Sequence, residues 1–318
     1  MSKDFSIIFM GSPEFACPSL EALNENFKVK AVVTGLDKPA GRGQKLQELP
    51  VKKKAVELGI PVLQPNNLKD PEFQKELKSY NADLFVVLAF RMLPASVFEM
   101  PPKGTINLHA SLLPQYRGAA PINWAIMNGE EKTGLTTFFI QQEIDTGGVI
   151  LREEMSIAQN ETAGSLHDRM MQKGASLLVQ TVQLIEQDNY QVKEQSELGQ
   201  GEELKEAPKL FKETCRIDWT KTAEQVHNHI RGLHPFPTAT SILNLDDKEV
   251  QVKLHKSAIS DESCHVEPGK VKVEGKKLWV ACADKWLEIE EIQTPGKRKM
   301  EVKSWINGVK MPEKLVFS

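Results

Sequence analysis

The sequence predicts an α/β domain built on a mostly parallel sheet, followed by a smaller domain of short strands. Three observations carry this expectation. Short, nearly continuous apolar runs alternate with amphipathic helical stretches through the first part of the chain, residues 190 to 208 break that rhythm, and short strands separated by turn residues follow from residue 209. The length of 318 residues also exceeds the size at which one core keeps growing, which favours two domains.

The elements follow in order. FSIIFM at 5 to 10 is an apolar run of strand length that ends at Gly11. Ser12 and Pro13 then suit N-cap and first-turn positions of a helix whose inner face carries Leu20 and Leu23. VKAVVT at 29 to 34 completes a strand, helix, strand unit. The rhythm repeats with a helical LPVKKKAVELG, a short IPVLQ, a helical DPEFQKELKSY and the strand ADLFVVLAF, nearly continuous in apolar residues as a strand covered on both faces should be. After GTINLHAS come GLTTFFIQ and GVILREEM, joined by QEIDTGG. A long helix from about Thr162 to Gln187 places Leu166, Met170, Leu177, Leu178 and Ile185 at helical spacing. YQVKEQSELGQGEELKEAP at 190 to 208 lacks apolar periodicity and reads as an exposed linker. Beyond it a short helix around TAEQVHNHIRGL presents Val226, Ile230 and Leu233 as a core stripe, and VQVKLHK, KLWVACA and WLEIEEIQ suggest a small antiparallel barrel or sandwich.

Hydrophobic content of 40% with 26% charged residues describes an ordinary globular chain. No apolar run reaches the roughly 18 residues of a membrane span, and MSKDFSIIFMGS is too short and too acidic for a signal peptide, so a cytoplasmic location is expected. Cys17, Cys215, Cys264 and Cys282 are widely spaced, with neither a CxxC pair nor a histidine cluster, and read as reduced packed thiols; no metal is expected. From residue 209 onward there are 19 Lys and Arg against 16 Asp and Glu, and before it 21 against 27. The C-terminal part is thus mildly basic, which permits contact with a polyanion without requiring it.

The stretch INLHASLLPQYRGAAP, 106 to 121, carries the first chemical signal. Alternate residues of a strand share a face, so Asn107 and His109 project together near the strand's carboxyl end, where open α/β sheets bind ligands. Taken alone, the pair is equally the pattern of a hydrogen-bonded core contact at a strand terminus. In QEIDTGGVI, Asp145 precedes two glycines between strands. That is the pattern of a turn with a capping aspartate, or of a backbone that lets a ligand come close. Gly11 stands alone and not in G-x-G-x-x-G, which argues against a dinucleotide-dependent oxidoreductase, and no P-loop, HExxH or GxSxG is present.

The run N-L-H-A-S-L-L-P-x-Y-R-G-A-A-P-I, then G-E-E-K-T-G-L-T-T, then D-T-G-G, resembles the formyltransferases that use 10-formyltetrahydrofolate. FMGSPEFA at 9 to 16, KPAGRGQKL at 38 to 46 and IRGLHPFPTA at 230 to 239 extend the likeness over the whole chain, toward the branch that formylates methionyl-tRNA. The resemblance implies a Rossmann-like, mostly parallel catalytic domain at 1 to 189, a linker at 190 to 208 and a C-terminal OB-like β-barrel that binds tRNA at 209 to 318. It puts Asn107, His109 and Asp145 on the catalytic positions, Ser111, Leu112, Leu113 and Pro114 on the folate-binding loop, and Phe90, Arg91 and Leu93 on the segment lining the pterin slot. It puts the loop bearing Lys38, Arg42 and Lys45 against the acceptor end of tRNA, although composition alone reads that loop as a solvated connection. The implied donor is 10-formyltetrahydrofolate and the implied partner is initiator methionyl-tRNA in translation initiation, with a monomer as the expected state. Transfer to a small-molecule amine, such as an amino sugar or a ribonucleotide, and RNA binding without catalysis are the alternatives.

The chemistry suits these residue types. In formyl transfer the acceptor amine is the nucleophile, so no Ser or Cys nucleophile is needed. A tetrahedral carbon with a developing oxyanion calls for hydrogen-bond donors, which Asn107 and His109 can supply, and a carboxylate such as Asp145 can orient the imidazole and help relay a proton through water.

Overall fold

Burial on both faces explains the uninterrupted apolar runs. Every residue of β1 (Ser6–Gly11) is buried in the computed structural model, which describes residues 4–40, 45–201, 203–245, 248–309 and 314–318. Around β1 are set α1 (Cys17–Asn26), β2 (Lys28–Val33), α2 (Pro50–Glu57), β3 (Val62–Leu63), α3 (Pro71–Ser79), β4 (Leu84–Leu88), β5 (Thr105–His109), α4 (Pro121–Met127), β6 (Lys132–Phe139), β7 (Val149–Ser156) and α5 (Ala163–Glu186). The seven strands form one sheet in the order β7-β6-β5-β4-β1-β2-β3. From β3 to β5 all neighbours run parallel, and β6 turns antiparallel to β5, with Asn107 opposite Phe138 and His109 opposite Thr136. α5 buries Leu166, Met170, Leu177, Leu178 and Ile185 at 3% exposure or less, as its spacing predicts.

The N-cap expected of Ser12 is not made. Ser12 does not cap α1, which begins at Cys17 after a 3₁₀ turn at Glu14–Ala16; its hydroxyl instead accepts from the Gly35 amide at 3.3 Å. The loops after β1 and β2 lie side by side at the carboxyl edge, and the hydroxyl joins them.

The chain divides into two compact units: Met1–Gly118, Thr133–Met155 and His167–Lys205 form the first, and Ala119–Lys132, Ser156–Leu166 and Glu206–Ser318 the second. The second unit contains α6 (Ala223–Gly232), β8 (Ala239–Leu245), β9 (Lys248–Ser263), β10 (Val271–Glu274), β11 (Lys277–Ala281), β12 (Lys285–Gln293) and β13 (Val316–Phe317). Its strands run β10-β11-β12-β9-β8-β13, and an antiparallel bridge between Lys270 and Val316 brings the two ends of that order together, curling the antiparallel sheet toward a barrel. Gly269, at φ +87°, makes this closure possible, because a Cβ there would lie 2.2 Å from the Phe317 carbonyl oxygen. The interior holds Trp219, Leu254, Ile289 and Phe317, together with the stripe Val226, Ile230 and Leu233. α4 belongs with this unit because it packs on α6: the Asn123 amide donates to the Gly232 carbonyl at 2.7 Å, and a Cβ on Gly232 would lie 2.5 Å from Met127. α6 starts with a capping box in which Thr222 and Gln225 satisfy each other's backbone amides.

His227 on α6 is 7% exposed, hydrogen-bonded to Ser257 at 3.0 Å and Asn160 at 3.2 Å. Burial first, and the Arg231 charge second, push its pKa down to about 4. A folded-state value below the ordinary 6.5 means that the unfolded chain takes up a proton the folded chain refuses. Stability is therefore full above about pH 6.5 and is lost as pH falls toward about 4. All five tryptophans lie in the second unit, so their fluorescence reports its unfolding. Urea unfolding of the full-length protein at pH 7 and at pH 5 is expected to reveal a loss of which about 2 kcal/mol disappears in His227→Gln. Equal pH dependence in the two proteins would contradict this account of His227.

Candidate active site

β5 ends at the carboxyl edge of the parallel strands and delivers Asn107 and His109 there, while Ile106 and Leu108, at 0% and 4% exposure, face the core. The segment that follows is braced from below. Thr136 on β6 donates its hydroxyl to the Ser111 carbonyl at 2.6 Å and accepts from the Leu113 amide at 3.1 Å, and the Ser111 hydroxyl donates to the Gln115 carbonyl. Leu113 packs on Phe138 and Val149. Leu112 lies over Gly134, where a Cβ would stand 2.4 Å from its Cδ2. Ser111, Leu113 and Pro114 are buried and Leu112 is half-buried. What this loop offers a ligand is a fixed backbone contour and the Leu112 side chain, since the Ser111 hydroxyl is already committed.

His109, 6% exposed, places Nε2 at 2.8 Å from the Tyr116 carbonyl oxygen. A carbonyl only accepts, so Nε2 carries a proton and Nδ1 is the nitrogen that gains or loses one. Nδ1 faces Asp145 Oδ2 at 3.7 Å, beyond a hydrogen bond, with both side chains largely buried. The same Oδ2 accepts from the Gly118 amide at 3.1 Å, which fixes the carboxylate's orientation. The Asn107 carboxamide is half-buried and has no hydrogen-bond partner among the described residues. The three side chains thus divide into a free amide donor and an imidazole–carboxylate pair able to hold a proton at Nδ1.

Asp145 itself adopts φ +55°, the left-handed region that a non-glycine residue enters only when its surroundings hold it there. The glycines after it serve packing. A Cβ on Gly147 would lie 1.7 Å from the Phe139 carbonyl oxygen, and one on Gly148 would lie 2.1 Å from Val192 Cγ1. The close approach that the sequence permits for a ligand is therefore made by the protein to itself. Residues expected as a linker also contribute here: Lys193 bridges to Val149, and Gln195, 3% exposed, donates to the carbonyls of Asp145 and Gly147 and accepts from Arg117. Neither Gln195 nor Arg117 was singled out from the sequence. A lone amide in a polar segment leaves no periodic trace.

The other expected site residues are placed as follows. Leu93 is buried in the core with Val97 and Phe98, Phe90 is half-buried against that core, and Arg91 is exposed. The Arg91 guanidinium donates to the carbonyls of Pro65 and Asn66 and lies 5.6 Å from the Phe90 ring centroid, so it braces the 65–66 loop. Lys38 and Lys45 fall in a two-stranded antiparallel hairpin, Lys38–Ala40 with Lys45–Gln47, whereas Arg42 lies outside the described residues. Among the described residues no group of three or more His, Cys, Asp or Glu could hold a metal ion, and no helix is long and apolar enough to cross a membrane.

A free amide donor and an imidazole–carboxylate pair thus stand at the carboxyl edge of a parallel sheet, where open α/β sheets bind their ligands. Residues 5–182 match the family described as formyl transferase, and residues 209–310 match the formyl transferase C-terminal domain. The chain belongs to the formyl transferase family. It is 47% identical over 304 residues to the methionyl-tRNA formyltransferase of Flavobacterium johnsoniae, covering 95% of this chain and 96% of that one. It is 44% identical over 314 residues to the methionyl-tRNA formyltransferase of Bacteroides fragilis, covering 98% and 97%. Among solved structures, the N-formyltransferase from Helicobacter canadensis in complex with folinic acid and dTDP-3-aminofucose shares the fold, with a TM-score of 0.66 at 22% identity over 91% of this chain and 99% of that one.

Proposed function

We propose that this protein transfers the formyl group of 10-formyltetrahydrofolate to the α-amino group of methionyl-initiator tRNA. The observation that carries the chemistry is the side-by-side arrangement of an uncommitted Asn107 amide and a His109 Nδ1 facing Asp145 at 3.7 Å. The acceptor reading is supported by full-length identity of 44 to 47% to proteins named for methionyl-tRNA, against 22% for the sugar-complexed neighbour.

In the proposed reaction the free amine attacks the formyl carbon, and the C=O becomes an oxyanion that accepts from the Asn107 amide. His109 Nδ1 takes the proton lost by the attacking amine, directly or through water, and the imidazolium so formed is stabilised by Asp145. As the tetrahedral carbon collapses, the bond to folate N10 breaks and that proton returns to the departing nitrogen. The loop of Ser111, Leu112, Leu113 and Pro114 serves as one wall of the folate site, with Phe90, Arg91 and Leu93 supporting the pterin end. Residues 1–189 form the catalytic domain in this reading, and residues 209–318 the tRNA-binding barrel. The protein acts as a monomer in the cytoplasm.

Lys38, Arg42 and Lys45 are proposed to contact the acceptor end of the tRNA. Each phosphate neutralised releases condensed counterion, so apparent tRNA affinity is expected to fall steeply with salt, by about tenfold or more between 50 and 200 mM if several phosphates are engaged. Folate affinity is expected to change far less, and Arg42→Ala to weaken transfer to methionyl-tRNA without altering folate binding. A flat salt response in the wild type, or unaltered tRNA use by Arg42→Ala, would count against a tRNA acceptor held by this loop.

A further inference from the structure

Gln195 sits in a helical turn, Gln195–Leu198, within the segment that lacks apolar periodicity, and yet all of its hydrogen-bonding capacity is used. Its Nε2 donates to the Asp145 carbonyl at 2.8 Å and to the Gly147 carbonyl at 2.9 Å. Its Oε1 accepts from Arg117 Nε at 3.0 Å and Nη2 at 2.6 Å. A carboxamide has two N–H donors and two acceptor lone pairs, so all four positions are filled in a side chain that is 3% exposed. Full satisfaction at this depth fixes the amide in one orientation, since any other leaves buried polar groups unpaired.

The two ends of that amide hold the two pieces of backbone that define the Asp145 carboxylate. One end grips the carbonyls of the left-handed turn that carries Asp145, φ +55°. The other grips Arg117, whose neighbour Gly118 donates its amide to Asp145 Oδ2 at 3.1 Å. A single side chain therefore joins the carboxylate's own backbone to the backbone that orients the carboxylate.

We propose that Gln195, with Arg117, is a positioning residue that holds Asp145 Oδ2 at once on the Gly118 amide and toward His109 Nδ1. It acts through Asp145, and the inference rests on the reading of Asp145 as the partner of His109. Loss of the two carbonyl contacts frees the strained turn to relax, the carboxylate then leaves the His109 side, and the rate of formyl transfer falls while folate binding is kept.

Gln195→Glu separates the two halves of the clamp. The carboxylate still accepts from Arg117, more strongly as a charged pair, but it sets oxygen against the Asp145 and Gly147 carbonyls where Nε2 had donated. The experiment compares wild type, Gln195→Glu, Asp145→Asn and the double variant for kcat, KM for 10-formyltetrahydrofolate and folate Kd. Gln195→Glu alone is expected to lower kcat about tenfold or more with folate KM and Kd within about twofold, and to lower it little further in the Asp145→Asn background, as residues acting through one group do. Gln195→Asn, which keeps an amide on a shorter arm, is expected to recover part of the rate. A buried turn stabiliser with no link to Asp145 would instead give the same fold-loss in both backgrounds, and that result overturns the proposal. So does full activity of Gln195→Glu beside an impaired Asp145→Asn. Full activity of Asp145→Asn would remove the Asp145 reading first and this one with it, which tells the two failures apart. Should the buried carboxylate prevent folding, the neutral Gln195→Met carries the same cycle.

Discussion

His109→Ala is expected to lower formyl transfer by roughly 10³-fold while folate Kd stays near wild type, because in the proposed reaction the ring handles a proton and does not line the folate loop. Nε2 is committed to the Tyr116 carbonyl at 2.8 Å, so Nδ1 is the only ring nitrogen free to exchange a proton. Alanine removes that station and leaves the attacking amine's proton with no carrier on the protein. The structural cost is the loss of one hydrogen bond at Tyr116 and a small cavity, which urea unfolding will reveal as about 1 to 3 kcal/mol. Single-turnover rates with saturating donor separate the two effects. A rate within about tenfold of wild type would show that proton transfer does not pass through His109.

The second large effect is expected at Asp145. Asp145→Asn keeps the size of the side chain but removes the charge that faces Nδ1 at 3.7 Å. If the asparagine turns its oxygen to the Gly118 amide, its NH2 is left toward the imidazole, where it cannot stabilise a protonated ring. The expected loss is roughly 10²-fold in kcat, with KM for folate little changed, since the carboxylate acts when the imidazolium forms. Steady-state kinetics at saturating methionyl-tRNA make the measurement. Retention of more than about a third of wild-type kcat would return Asp145 to the role of a turn residue.

Much of the fold was legible because burial on both faces leaves a plain mark. β4 is apolar from end to end and β1 is so over Ile7–Met10, and the heptad-like spacing of Leu166, Met170 and Leu177 marked α5 to within a residue or two. The shared face of Asn107 and His109 followed from strand periodicity alone. Asp145 did not: its approach to His109 depends on where the β6–β7 turn returns on the sheet, a tertiary contact that only the resemblance supplied. Ser12 was misread because a hydroxyl before a proline signals an N-cap locally, whereas the Gly35 amide that claims it comes from the next strand's loop. The glycines at 147 and 148 were open to a ligand by composition, yet they answer to Phe139 and Val192. Gln195 was hidden most completely, since hydrogen bonds from one side chain to distant carbonyls have no sequence period.

A competition assay identifies the acceptor. The full-length protein is incubated with labelled 10-formyltetrahydrofolate and equal concentrations of initiator methionyl-tRNA, a dTDP-amino sugar and an aminated ribonucleotide, and the formylated product is identified by mass spectrometry. The account predicts formyl-methionyl-tRNA as the product, with its formation abolished in His109→Ala and reduced in Arg42→Ala. Formylation of either small amine in preference to the tRNA, or formyl-methionyl-tRNA at wild-type rate from His109→Ala, would contradict it.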